Sequence, residues 1–157
     1  MVLSAPELEI FGVYDRGVPN LERIVLRANV AVNLRYYAVL LGYKAPYDTV
    51  YPIADQFLWL GAINIEVPSW VFIYTGLGTP GISQEQHTKD PIHALYWNKP
   101  QVIFSNADVV PALIRMDHIE IGNKEPRTVQ SLITKTVRDD IAETIRKYLA
   151  NQSGKGS

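Results

Sequence analysis

The stretch RIVLRANVAVNLRYYAVLL, Arg23 to Leu41, decides the fold, because it runs nineteen residues without Gly or Pro. Ile24, Leu26, Ala28, Val30, Val32, Leu34, Tyr36, Ala38 and Leu40 fall on one register of a period of two. Arg23, Arg27, Asn29, Asn33, Arg35 and Tyr37 fall on the other, diluted by Val25, Ala31, Val39 and Leu41. Such alternation gives a pleated strand one apolar face and one polar face. At ~3.3 Å per residue an unbroken strand would exceed about 60 Å, so a bulge, bend or turn near Asn29 or Asn33 is expected. A helix over Val30–Leu41 competes, since Val30, Leu34, Tyr37 and Leu41 share a helical face. The β-branched content favours strand.

Working outward, Leu8–Tyr14 reads as a strand closed by the turn residues Asp15-Arg16-Gly17 and Val18-Pro19-Asn20. Gly42–Pro52 reads as a loop, with Pro46, Asp48 and Pro52 interrupting any pattern. Phe57–Glu66 and Trp70–Thr75 read as strands separated by Val67-Pro68-Ser69. Both registers of the first are apolar, which predicts burial on both faces. Gly76–Pro91 is rich in Gly, Pro and polar residues and reads as a long loop. Ile92–Trp97, Gln101–Phe104, Ala112–Met116 and Ile119–Ile121 complete the predicted strands.

After Pro126 the period changes. Val129, Ile133, Val137, Ile141, Ile145 and Leu149 recur every fourth residue, widened by Leu132 and Tyr148, which predicts a helix over 128–150. Thr128 is the expected N-cap, and Asn151 through Gly154 mark the stop. The expectation is a mainly β fold, a β-sandwich or distorted barrel of about 7–9 strands, with one C-terminal amphipathic α-helix. It would form a single β-rich domain over 1–150, followed by a flexible tail over 151–157.

Composition bounds the chemistry. The 157 residues suit one domain, and 47% hydrophobic content supports a real core. Fifteen Lys and Arg oppose sixteen Asp and Glu, for a net charge of −1, which argues against nucleic acid as a partner. Cys is absent, so disulfides, thiolate nucleophiles and Cys-based metal sites are excluded. No stretch resembles a signal peptide or a bilayer span, so a soluble, cytoplasmic protein with no membrane partner is expected.

Gly76-Leu77-Gly78-Thr79-Pro80-Gly81 matches the G-x-G-x-x-G of dinucleotide sites and the opening of a phosphate loop. The helix and βαβ unit required by the first reading are missing, and Ile82 and Ser83 stand where the second needs Lys and Ser/Thr. A loop between strands is the better account. His87, Asp90 and His93, with Glu85 nearby, form H-x-x-D-x-x-H, the ligand types that zinc or ferrous iron accept. A divalent metal held there is the one cofactor that the residues suggest, against the simpler reading of a solvated loop. Met116-Asp117-His118 with Glu120 is a second acid–base cluster, but adjacent strand residues point to opposite faces. No residue nominates itself as a nucleophile.

The polar row Arg23, Arg27, Asn29, Asn33, Arg35 and Tyr37 would space donors ~6.6–7 Å apart along a strand and so offer a ligand or partner surface. The plainer reading is the wet side of an antiparallel sheet. Trp59, Trp70, Trp97, Tyr74 and Tyr96 read first as core and second as a pocket lining. The function favoured by the residues is a non-enzymatic β-rich domain acting by surface binding or self-association as a homo-oligomer. The alternatives are a small-ligand-binding or metal-dependent enzyme using the His87/Asp90/His93 loop, and polyanion binding by Arg23, Arg27 and Arg35.

Overall fold

The alternating stretch does not run through as one strand. In a computed structural model, which describes residues 6–122 and 129–154, strand β2 ends at Ala28 and the chain turns at Asn29. The Asn29 backbone N–H donates to Glu7 O at 2.8 Å and its side-chain amide to Pro6 O at 2.9 Å. Asn33 then caps a 3₁₀ turn, Leu34–Tyr36, its Oδ1 accepting from Arg35 N at 2.9 Å. Both asparagines expected to mark the break therefore hold it. The turn also shifts the register by one residue, which exchanges strand faces. Tyr37, Val39 and Leu41 join the core cluster, while Tyr36, expected on the apolar row, is exposed.

The chain divides into two compact units, Met1–Ile119 and Glu120–Ser157. The first holds β1 (Leu8–Tyr14), β2 (Arg23–Ala28), β3 (Val32–Asn33), β4 (Tyr37–Ala45), β5 (Thr49–Trp59), β6 (Asn64–Ile65), β7 (Ser69–Tyr74), β8 (Gly81–Gln84), β9 (Pro91–Tyr96) and β10 (Val109–Arg115). These form a five-stranded sheet in the order β1-β2-β7-β9-β8, a three-stranded sheet β10-β4-β5, and the short pair β3-β6. All neighbours are antiparallel except β7 and β9, which run parallel. Ile24 and Leu26 of β2, Val71 and Ile73 of β7, and Val39 and Leu41 of β4 share one buried cluster, so the two larger sheets enclose a common core. The second unit holds α1 (Val129–Ser153), where a helix was expected. Thr128, the expected N-cap, lies outside the described residues. Among the described residues no helix is long and apolar enough to cross a membrane.

Five expectations are corrected. Gly42–Pro52 is a β-hairpin joining β4 to β5, with Tyr47 and Asp48 at φ 60° and 53° making the turn. Pro52 is tolerated because β5 is an edge strand. Gly76–Pro91 contains β8, paired with β9. Gln101–Phe104 and Ile119–Ile121 are not strands. Phe57 and Trp59 are 54% and 51% exposed, so β5 buries one face rather than two.

The tie between the strands and their connections is Glu22, only 1% exposed. Its Oε1 accepts from Ile103 N and the Thr75 hydroxyl, both at 2.8 Å. Its Oε2 accepts from Gly17 N at 2.7 Å and Phe104 N at 2.9 Å. Burial by itself would raise this carboxyl's pKa, but the four donors outweigh it and hold the group below its ordinary value. In the unfolded chain a Glu titrates near ~4.3, so the stability from this site is present above that pH and lost as pH falls through the lower folded value. Glu22→Gln exchanges one acceptor oxygen for a donor and is expected to cost about 2–4 kcal/mol at neutral pH. Urea unfolding across a pH series checks this, since the variant's stability should also fall less steeply on acidification.

Candidate functional site

The outward face of the five-stranded sheet carries three rows of side chains set by the strand register. Tyr14, Arg23, Tyr74 and Tyr96 lie level across β1, β2, β7 and β9. Beside them run Val25, Phe72 and Ala94, and then Glu9, Arg27, Trp70 and Ile92. The Arg23 guanidinium carbon lies 5.6, 5.3 and 5.9 Å from the ring centres of Tyr14, Phe72 and Tyr74. The Arg27 guanidinium sits 4.4 Å over Trp70. Tyr74 stacks on Tyr96 with centroids 5.2 Å apart and planes 16° apart. Cation–π contacts of this kind contribute ~0.5–2 kcal/mol each, so the side chains of this face support one another.

Two glycines permit this arrangement. In β1 the register shifts between Ile10 and Gly12, so Phe11 is an extra residue. The bulge turns Tyr14 outward while Val13 pairs with Ile24 on the core side, and the Tyr14 ring folds back over Gly12. A Cβ on Gly12 would meet Tyr14 Cε2 at 3.1 Å. Gly78, the second glycine of the G-x-G-x-x-G match, lies against Tyr96, where a Cβ would stand 2.1 Å from the ring. That close approach, in a β–β connection, is the use to which this glycine is put.

Between the rows lies a shallow hollow of about 150 Å³ lined by Phe11, Tyr14, Arg23, Val25, Trp70, Phe72 and Glu85. Val25 is its buried floor, while Phe11 and Tyr14 remain 57% and 40% exposed. Phe11 meets Trp70 edge-on at 5.0 Å. Both arginine charges are already answered: Arg23 Nη1 bonds Asp15 Oδ2 at 2.5 Å and Arg27 Nη1 bonds Asp90 Oδ2 at 3.1 Å.

Of the polar row in the sequence, the structure brings only Arg23 and Arg27 to this face. Asn29 and Asn33 hold the chain break, and Arg35 lies on the 3₁₀ turn over Tyr36 at 5.1 Å. Tyr37 is buried and donates to Glu7 Oε2 at 2.9 Å. Its burial, and then that bond, push its pKa up to about 12.

His87, Asp90 and His93 do not converge. Asp90 is engaged by Arg27, and His93 pairs with Val71 on the core side of β9, where burial lowers its pKa and favours the neutral imidazole. Glu85 accepts from His87 N at 2.8 Å, Thr88 N at 2.6 Å and the Thr88 hydroxyl at 3.0 Å, and so closes its own turn. Those bonds, the one from Thr88 N first, keep its carboxyl below the ordinary value. Among the described residues no three His, Asp or Glu side chains gather as a metal-holding group. In the second acid–base cluster, Asp117 lies 3.8 Å from Arg115. Trp70, Tyr74 and Tyr96 reach the outward face rather than the core, whereas Trp97 packs against the core. Sequence reasoning missed Phe11, Tyr14 and Phe72; the one available signal was Gly12, isolated inside a strand pattern.

Comparison with known proteins found no matching family, no matching curated protein and no matching solved structure.

The Arg27–Asp90 pair straps the turn before β9 onto the outward face, with both side chains mostly shielded. A double-mutant cycle of Arg27→Ala and Asp90→Ala is expected to give a coupling of about 1–2 kcal/mol, above the ~0.2–1 of exposed pairs. Added zinc should leave the Tm unchanged, and His87→Ala should be neutral. A zinc-dependent rise in Tm that His87→Ala and His93→Ala abolish would show the opposite.

Proposed function

We propose that this protein is a recognition module whose five-stranded sheet receives one apolar side chain of a protein partner in the hollow over Val25. The observation that carries the reading is the hollow's size joined to its lining. At about 150 Å³ it is well below the ~300–1,000 Å³ of small-molecule sites and matches a single anchoring side chain. Its walls are aromatic, and partly exposed aromatics of this kind are where binding energy concentrates at protein interfaces. Neighbouring rings and guanidinium groups hold the walls in place, so little side-chain freedom is lost on binding.

The electrostatics favour an apolar anchor over a polyanion. Arg23 and Arg27 are each paired with a carboxylate, Asp15 and Asp90, which offsets the positive charge that an incoming phosphate would meet. A larger hollow of about 440 Å³ is walled by Pro19, Asn20, Leu77, Lys99, Pro100 and Ser105 among others. Lys99 is the one ionisable residue in its lining, which leaves it without an acid–base pair.

A display library of random linear peptides tests the proposal. Peptides that bind are expected to share one apolar residue, and Val25→Phe, which fills the hollow, should weaken them at least tenfold. Phe11→Ser should weaken them similarly with little effect on stability, because that ring is largely exposed. Recovery of no binder, or of binders indifferent to both substitutions, would sink the proposal. Binders rich in Asp or Glu would favour the polyanion reading instead.

A further inference from the structure

The larger hollow, of about 440 Å³, lies where three connections meet at one end of the five-stranded sheet. Strands β7 and β9 run parallel, so both leave the sheet at the same end, whereas antiparallel neighbours leave at opposite ends. Arg23 opens β2 level with Tyr74, the last residue of β7, which brings the turn after β1 to that end too. Pro19 and Asn20 of that turn, Gly76 and Leu77 after β7, and the segment from Lys99 to Val102 after β9 line the hollow. Hydrogen bonds carry the two strand exits on together. Trp97 N donates to Tyr74 O at 2.8 Å, Asn98 N to Gly76 O at 3.1 Å and Lys99 N to Thr75 O at 2.8 Å. Glu22 joins the same three connections from behind, through Gly17, Thr75, Ile103 and Phe104. The walls are thereby tied to one another, which lowers the ordering that binding demands.

Lys99 is partly buried, and its ammonium sits 5.4 Å from the centre of the Trp97 ring. Two other cations of the β-rich unit are partly buried, Arg23 and Arg27, and each pairs with a carboxylate. Among the described residues no Asp or Glu pairs with Lys99. A ring face offers a cation ~0.5–1 kcal/mol and leaves its net charge in place. The lining therefore carries one positive charge and no negative one. Around that charge stand two kinds of surface. Leu77, Pro100 and Val102 are apolar, while Asn20, Gln101 and Ser105 offer amide and hydroxyl groups. The volume falls inside the ~300–1,000 Å³ of small-molecule sites, unlike that of the hollow over Val25.

We propose that this hollow binds a small organic monocarboxylate, with its carboxylate on Lys99 and its hydrocarbon part against Leu77, Pro100 and Val102. The polar groups of Asn20, Gln101 and Ser105 suit a hydroxyl or carbonyl elsewhere on the ligand. A lone ammonium balances one negative charge, which a carboxylate carries, whereas a phosphate monoester carries ~1.5–2. No arginine fork, the planar partner that phosphate recognition favours, stands in the lining. The two hollows share no lining residue, so the proposal is independent of the partner assigned to the sheet's outward face.

Thermal unfolding of the full chain with hexanoate, benzoate and 4-hydroxybenzoate tests this, with the matching primary amides as neutral controls. At least one acid is expected to raise the Tm, and its amide should not. Calorimetric titration of that acid should then give one site per chain. Lys99→Gln should weaken it by about tenfold or more, as loss of a charge-assisted hydrogen bond does, and Lys99→Arg should retain binding. Leu77→Trp, at a side chain 71% exposed and so tolerant of change, should block the hollow without loss of Tm. Val25→Phe should leave the titration unaltered, which separates this site from the one on the sheet face. Failure of all three acids to bind overturns the proposal, as does an acid that binds Lys99→Gln equally well. Equal binding of an acid and its amide overturns it too, since charge would then play no part. Loss of the acid in Val25→Phe would move it to the sheet face, and is equally fatal. Phenyl phosphate binding more tightly than the acids, and through Lys99, would overturn the assignment of a carboxylate.

Discussion

The β-rich unit depends on one carboxylate with four donors. Burying an ion is costly unless each lone-pair direction is met, and Glu22 meets this condition with three backbone amides and one hydroxyl. The donors come from the turn after β1, from the end of β7, and from the connection between β9 and β10. Three pieces of irregular backbone thus share an acceptor pair that no sheet ladder could supply. The connections are thereby tied to one another and to the end of β7, whose Tyr74 meets Arg23 and Tyr96.

That fixed register explains the division of labour within β2. Ile24 and Leu26 point into the core, while Arg23, Val25 and Arg27 form the outward face. On that face arginine acts less as a charge than as a flat polar plate between rings. Each guanidinium is neutralised by a nearby carboxylate and leaves its broad surface to aromatic neighbours. The result is a surface that is apolar in its centre and polar around its margin, the anatomy expected where one protein meets another.

How much of this was legible depended on how local each cause is. Leu8–Tyr14 matches its strand at both ends, because alternation and the turn residues after it are both local. The break at Asn29 and Asn33 followed from length alone, and α1 from its row of apolar residues at every fourth position. The hairpin at Tyr47 was hidden by Pro46 and Pro52, which look like loop until one knows that β5 is an edge. Beyond Arg27 the polar row leaves this face, because β2 ends at Ala28 and the 3₁₀ turn Leu34–Tyr36 follows. Glu22 gave no sign, since two of its donors stand 81 and 82 residues away. Nor could spacing within the loop reveal that Asp90 pairs with Arg27, 63 residues distant.

The parallel pairing of β7 with β9 has a bearing on how the chain comes together on the ribosome. Strands β4 and β5 are joined by a tight turn and can pair as soon as both emerge. Strand β7 must instead wait for β9, delivered by a crossover through β8, before its second edge is covered. Until then an apolar nascent strand has one side open, in a topology whose distant pairings close slowly. The same holds for β4, whose second edge stays open until β10 is made, so two apolar strands of this polypeptide wait for late partners.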